Sequence, residues 1–134
     1  MTVRKVTSPQ VPEPAGGIYS QCLVLGDQIF IAGQTAGGAD GKAIGGDSME
    51  KQARACFTKI KHLLEAAGGG LSDIVKMTVY VTDMALRPDF GRVRNEVFPG
   101  ATKPCSTLVE VSALAGADLL IEVDVVAVRG AGRS

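Results

Sequence analysis

An apolar stripe at helical spacing, through Met49, Ala53, Phe57, Ile60, Leu64 and Ala67, runs into Gly68-Gly69-Gly70 and then gives way to strict alternation. Residues 74–82 place Val75, Met77, Val79 and Val81 on one side and Lys76, Thr78 and Tyr80 on the other. A period of 3.6 predicts an amphipathic helix and a period of 2 a half-buried strand, so the centre of the chain reads as helix followed by strand. Asp47 is expected to cap the helix, with Glu50 at the spacing of a capping box, and the glycines to end it.

The flanks extend the pattern. Residues 19–25 and 29–32 are two apolar runs around Gly26-Asp27-Gln28, the signature of a β-hairpin. The first 18 residues, rich in Pro and Gly, are expected to run extended over the surface, and residues 35–46, with five glycines, to form a flexible loop. Phe90, Val93 and Val97 predict a second, shorter helix before Pro99-Gly100. Thr107–Val111 and Leu119–Val128 predict two closing strands joined through Ala115–Asp118. The expected fold is α+β, ordered β-β-α-β-α-β-β, with right-handed crossovers and both helices on one face of the sheet. At 134 residues, with no repeat or linker, residues 1–134 form one domain. The other face is expected to be too apolar for open water, and subunit association would cover it.

Composition narrows the function. Fourteen Lys and Arg balance fourteen Asp and Glu, which argues against a polyanion-binding surface and against nucleic acid as a partner. Six aromatics without a Trp leave few platforms for stacking bases. No apolar run reaches the ~20 residues of a membrane span, and MTVRKVTSPQ has no signal-peptide character. Cys22, Cys56 and Cys105 have no metal-ligand spacing and read as buried thiols of a reducing, cytoplasmic compartment. No metal and no cofactor is expected.

Few residues carry chemistry. His62, the only histidine, falls on the flank of the first helix and is expected to be a surface residue. Gly37-Gly38-Ala39-Asp40-Gly41 lacks the Gly-Lys-Ser/Thr of a phosphate loop. Glu122 and Asp124 lie on the polar side of the last strand, where burial would turn a carboxylate into a usable general acid or base. Asp124 is read as a solvated strand carboxylate and Glu110 as a structural one.

Four stretches, in this order and spacing, make the chain resemble the RidA/YjgF family of enamine/imine deaminases over nearly its whole length. They are Gly17–Gln21, Ile29–Gln34, Lys76–Asp83, and Pro104–Val111 with Ile121–Asp124. The resemblance implies a trimer with ligand clefts between subunits, a cleft-lining role for Tyr19, ligand-facing backbone groups around Gly33, and Glu122 as the acid that positions or activates water. Two departures stand out. The carboxylate-gripping arginine of the family's Pro-x-Arg-Ser is Ser106, within Pro104-Cys105-Ser106-Thr107, and the serine before the Gly-Gln pair is Ala32. A hydroxyl cannot replace a bidentate guanidinium, so this branch is expected to grip small imino acids weakly. Lys103 and Arg92 are the cations that could substitute, and for both a solvated surface cation is the favoured reading. The readings that remain are a hydrolytic deaminase of undefined substrate, a non-catalytic trimer binding metabolites or protein partners in the same clefts, and, least favoured, a ribonuclease or translation inhibitor.

Overall fold

The computed structural model describes residues 2–133. Among these residues one mixed sheet of six strands forms, in spatial order β1-β2-β3-β6-β4-β5. The strands are β1 (Arg4–Val6), β2 (Cys22–Leu25), β3 (Gln28–Thr35), β4 (Ile74–Val81), β5 (Cys105–Glu110) and β6 (Ile121–Val128). The helices are α1 (Met49–Ala66), between β3 and β4, and α2 (Arg87–Val97), between β4 and β5. Only the β4–β5 pair is parallel. The expected order therefore holds with one strand added. β1 pairs with β2 at the sheet edge, and Val6 and Val11 are buried, so the first residues belong to the fold instead of running over its surface.

One core forms between the sheet and both helices. α1 packs on β3, β6 and α2. It brings Phe57, Ile60, Leu63 and Leu64 against Ile29, Val79, Val123 and Val125, while α2 adds Phe90 and Val93. Phe57 stacks with Phe90 and meets Phe98 edge-on.

Three local expectations are corrected. Ser48, not Asp47, caps α1: its side chain accepts from the Lys51 amide at 3.2 Å. Val75 does not share the buried side of Met77, Val79 and Val81, because a register slip between Ile74 and Lys76 turns it outward and buries Ile74. Residues 36–44 are pinned by Gly38–Lys42 and Ile44–Ala36 backbone bonds and by Asp118, which accepts from the Ala43 amide at 2.8 Å.

Gln52, fully buried on α1, ties these loops together. Its amide donates to the carbonyls of Gly46 and Asp118, and its oxygen accepts from the Leu120 amide. Gln52→Leu keeps the volume and orphans three backbone groups. At ~1–3 kcal/mol for each group left unsatisfied, it is expected to destabilise the protein by roughly 3 kcal/mol or more, read by urea unfolding. A variant as stable as wild type would show that water takes over these bonds.

The face away from the helices is uncovered, and it is mixed in character. Leu23, Phe30 and Val126 share one cross-strand row, whereas Thr78 with Asp124, and Tyr80 with Glu122, occupy the rows beyond it.

Candidate functional site

Glu122 owes its position to a bulge. Pairing of β3 with β6 slips between Ile31 and Gln34, so that Ala32 and Gly33 bow out and Thr35 lands opposite Glu122. On its other side Glu122 faces Tyr80. A Cβ built on Gly33 would lie 2.1 Å from Glu122 Oε2 and 2.7 Å from Cδ. The carboxylate thus rests on the bare α-carbon of Gly33, an approach that only glycine permits. Among the described residues no donor hydrogen-bonds this carboxylate. Half-burial, and secondarily the charge of Asp124, push its pKa above the ordinary carboxylate range. Asp124, by contrast, accepts from the Tyr80 hydroxyl at 3.1 Å, a bond that raises the phenol's pKa. Of the two neighbouring acids, one is engaged and one is free to exchange a proton.

A cleft of about 460 Å³ opens beside this bulge, with Tyr19, Gly33, Thr35 and Lys59 among its walls. Its frame is a chain of amides. The Ala32 N–H donates to the Gln21 carbonyl at 2.9 Å, Gln34 Nε2 to Gln21 Oε1 at 2.6 Å, and Gln21 Nε2 to the Pro12 carbonyl at 2.6 Å. Lys59 Nζ donates to the Gly37 carbonyl at 2.9 Å, and burial lowers its pKa. Tyr19 and Gly33 therefore line this cleft, Ala32 precedes Gly33 in the bulge, and Glu122 reaches the cleft's edge through its contact with Gly33 without lining it.

Ser106 does not join them within the chain. It pairs with Met77 and faces the helix layer, three positions along and on the opposite side of the sheet from the Tyr80–Glu122 pair. There a cavity of about 290 Å³ lies between α2 and the start of β5, with Ser106, Lys103, Arg94 and Asn95 over Met77 and Phe98. Lys103 Nζ donates to the Phe98 carbonyl at 2.5 Å. Cys105 is exposed, which corrects its reading as a buried thiol, whereas burial pushes the thiols of Cys22 and Cys56 up to about 11 and about 12. Arg92 lies on the outer surface of α2, ion-paired to Asp89 and to Glu50, and does not line the Ser106 cavity. His62 is half-buried on α1 and lines neither cleft. Glu110 accepts from the Met84 amide at 2.8 Å, a structural role.

Arg94 and Lys59 are absent from the candidates read off the sequence. For Arg94 the signal was present: it lies four residues after Phe90, on the inward flank of α2, whereas Arg92, two after Phe90, points away. Among the described residues no group of three or more His, Cys, Asp or Glu side chains gathers to hold a metal ion, and no helix is long and apolar enough to cross a membrane.

Comparison with known proteins agrees with this architecture. Residues 10–129 match the family described as Endoribonuclease L-PSP. A RutC family protein of Pyrococcus horikoshii, PH0854, is 40% identical over 126 residues, covering 91% of this chain and 94% of that protein. TdcF of Escherichia coli K12, named as a reactive intermediate deaminase, is 33% identical over 135 residues, covering 96% of this chain and 100% of that protein. The crystal structure of PA3499 from Pseudomonas aeruginosa, a protein of unknown function, superposes with a TM-score of 0.85 at 37% identity, covering 96% and 94% of the two chains. The chain belongs to the RidA/YjgF family, whose α+β fold it shares.

Proposed function

We propose that this protein is a hydrolytic deaminase of reactive enamine or imine metabolites, working as a homotrimer whose clefts are shared between subunits. The observation that carries the reading is Glu122: a half-buried carboxylate with raised proton affinity, without a hydrogen-bond partner among the described residues, seated on Gly33 beside an open cleft. An imine carbon is already electrophilic, so the protein has to orient water and move protons. Glu122 takes a proton from the attacking water as the C–O bond forms. It gives that proton to the imine nitrogen, which takes up the C=N π electrons. It then carries the hydroxyl proton of the resulting carbinolamine to the same nitrogen as C=O forms and the C–N bond breaks, leaving a carbonyl compound and ammonia.

The shared cleft is supported by the separation of the two residue sets. Tyr19, Gly33 and Glu122 lie around the bulge, whereas Ser106, Lys103 and Arg94 lie beneath the exposed edge strand β5. A neighbour's β5 edge laid against the uncovered face would bring the two sets together and cover Phe30 and Val109, each 38% exposed. The relative TdcF, named as a reactive intermediate deaminase, favours deamination, while the family description names a ribonuclease. Balanced charge and a histidine outside both clefts disfavour the latter.

The test is ammonia release from imines made in situ by an amino-acid oxidase, across side chains from small polar to bulky apolar, with an RNA-cleavage assay alongside. Release faster than in buffer, with RNA left intact, is the expected result. Release at the buffer rate by an intact trimer would leave the ligand-binding module as the reading.

A further inference from the structure

The cavity beside Ser106 has the composition of an anion site. Two cations, an amide and a hydroxyl reach it, and no carboxylate lines it. The acids of the nearby helix surface are engaged elsewhere, Glu96 and Glu50 by Arg54, and Asp89 by Arg92. Among the described residues Arg94 has no ion-pair partner within 4 Å. Its guanidinium is held over the Phe90 ring, 5.8 Å from the centroid, a cation–π arrangement that limits its freedom.

Gly91, three residues earlier on α2, leaves the guanidinium's flank open: a Cβ there would only touch Arg94 Nη2 at 3.6 Å, an ordinary van der Waals distance. Lys103 has a different task. Its bond to the Phe98 carbonyl, just past the end of α2, offsets the partial negative charge of the helix C-terminus that would otherwise repel an anion. Arg94 remains as the charge available to a ligand. A volume of about 290 Å³ over Met77 and Phe98 suits a small anionic head with a short apolar body.

We propose that Arg94 is the anion clamp of this protein, holding a small carboxylate in the cavity between α2 and β5 with Ser106 and Asn95 as neutral donors. As the clamp for a substrate it rests on the deaminase reading, and it makes imines that carry a carboxylate the preferred class. The guanidinium comes from the helix, not from the strand position that Ser106 occupies.

Two measurements test it with Arg94→Gln, which keeps the stem over Phe90, and with Arg94→Lys, which keeps the charge. The first is titration of the protein with propionate and with inorganic phosphate, followed by NMR shifts of the α2 and β5 amides. Propionate affinity is expected to fall tenfold or more in Arg94→Gln and less in Arg94→Lys, with phosphate the weaker ligand throughout. Unchanged propionate affinity in Arg94→Gln would overturn the clamp, and a wild type that binds only phosphate would overturn the carboxylate assignment. The second is the ratio of kcat/KM for an imino acid to kcat/KM for the imine of the corresponding amine, which lacks the carboxylate. Arg94→Gln is expected to lower that ratio tenfold or more, mainly through KM, and an equal loss on both substrates would mark Arg94 as merely structural. If wild type hydrolyses neither imine, the deaminase reading fails, and the propionate titration alone decides the clamp.

Discussion

Replacing Glu122 by glutamine is expected to lower imine hydrolysis by on the order of a hundredfold or more, the usual worth of a general acid–base group, without loss of stability at neutral pH. The two halves of this expectation have separate causes. The amide is isosteric but does not accept the water's proton. The stability half follows from the raised proton affinity of the carboxyl in the fold. A carboxyl whose folded pKa exceeds its unfolded value loses stabilisation as pH rises between the two, so at neutral pH the ionised group disfavours the native state. Glutamine removes that disadvantage. The variant should therefore melt at or above the wild-type temperature at pH 7, and the difference should shrink in acid, where wild-type Glu122 is protonated. Activity within threefold of wild type, in an intact assembly, would remove Glu122 from the reaction.

Gly33→Ala tests the placement of the same group from the other side. The added methyl would meet Glu122 Oε2 at 2.1 Å and Cδ at 2.7 Å, far inside van der Waals contact. Gly33 does not have a positive φ, so alanine fits the backbone and the conflict falls on the carboxylate, which rotates away. A displacement of about 1 Å at a reacting group is worth up to ~100-fold. We expect kcat to fall roughly ten- to a hundredfold, with KM little changed and unfolding within a few tenths of a kcal/mol of wild type. An alanine variant with wild-type kcat would show that the seat on Gly33 does not matter to the chemistry.

The residues that announce themselves along the chain are those whose periodicity belongs to one element. The α1 stripe, the alternation of β6 and the acid pair Glu122–Asp124 could be read directly, because helix and strand periods are local properties. What escaped depends on a partner. A bulge belongs to a pair of strands, so the slip that turns Val75 outward and the one that seats Glu122 on Gly33 leave no mark in one strand's alternation. β1 escaped because Arg4–Val6 is too short for a pattern and becomes a strand only by pairing with β2. Among the cations, Lys103 lines the Ser106 cavity, while the helical turn carries Arg92 away and brings Arg94 in. The departure at Ser106 is a single-position reading, whereas the cavity around it is built by three elements.

The shared cleft is tested most directly by mixing two defective chains. Ser106→Trp fills the cavity under β5, and Glu122→Gln disables the acid beside Gly33. Each is expected to form a trimer with little activity. Unfolding the two together in equal amounts and refolding them gives random mixed trimers. If each cleft takes Glu122 from one subunit and the Ser106 cavity from its neighbour, roughly a quarter of the interfaces hold both intact halves. Ammonia release is then expected to recover to about a quarter of the wild-type rate. A mixture no more active than the mean of the two parents, or a Ser106→Trp trimer with wild-type activity, would contradict the shared site.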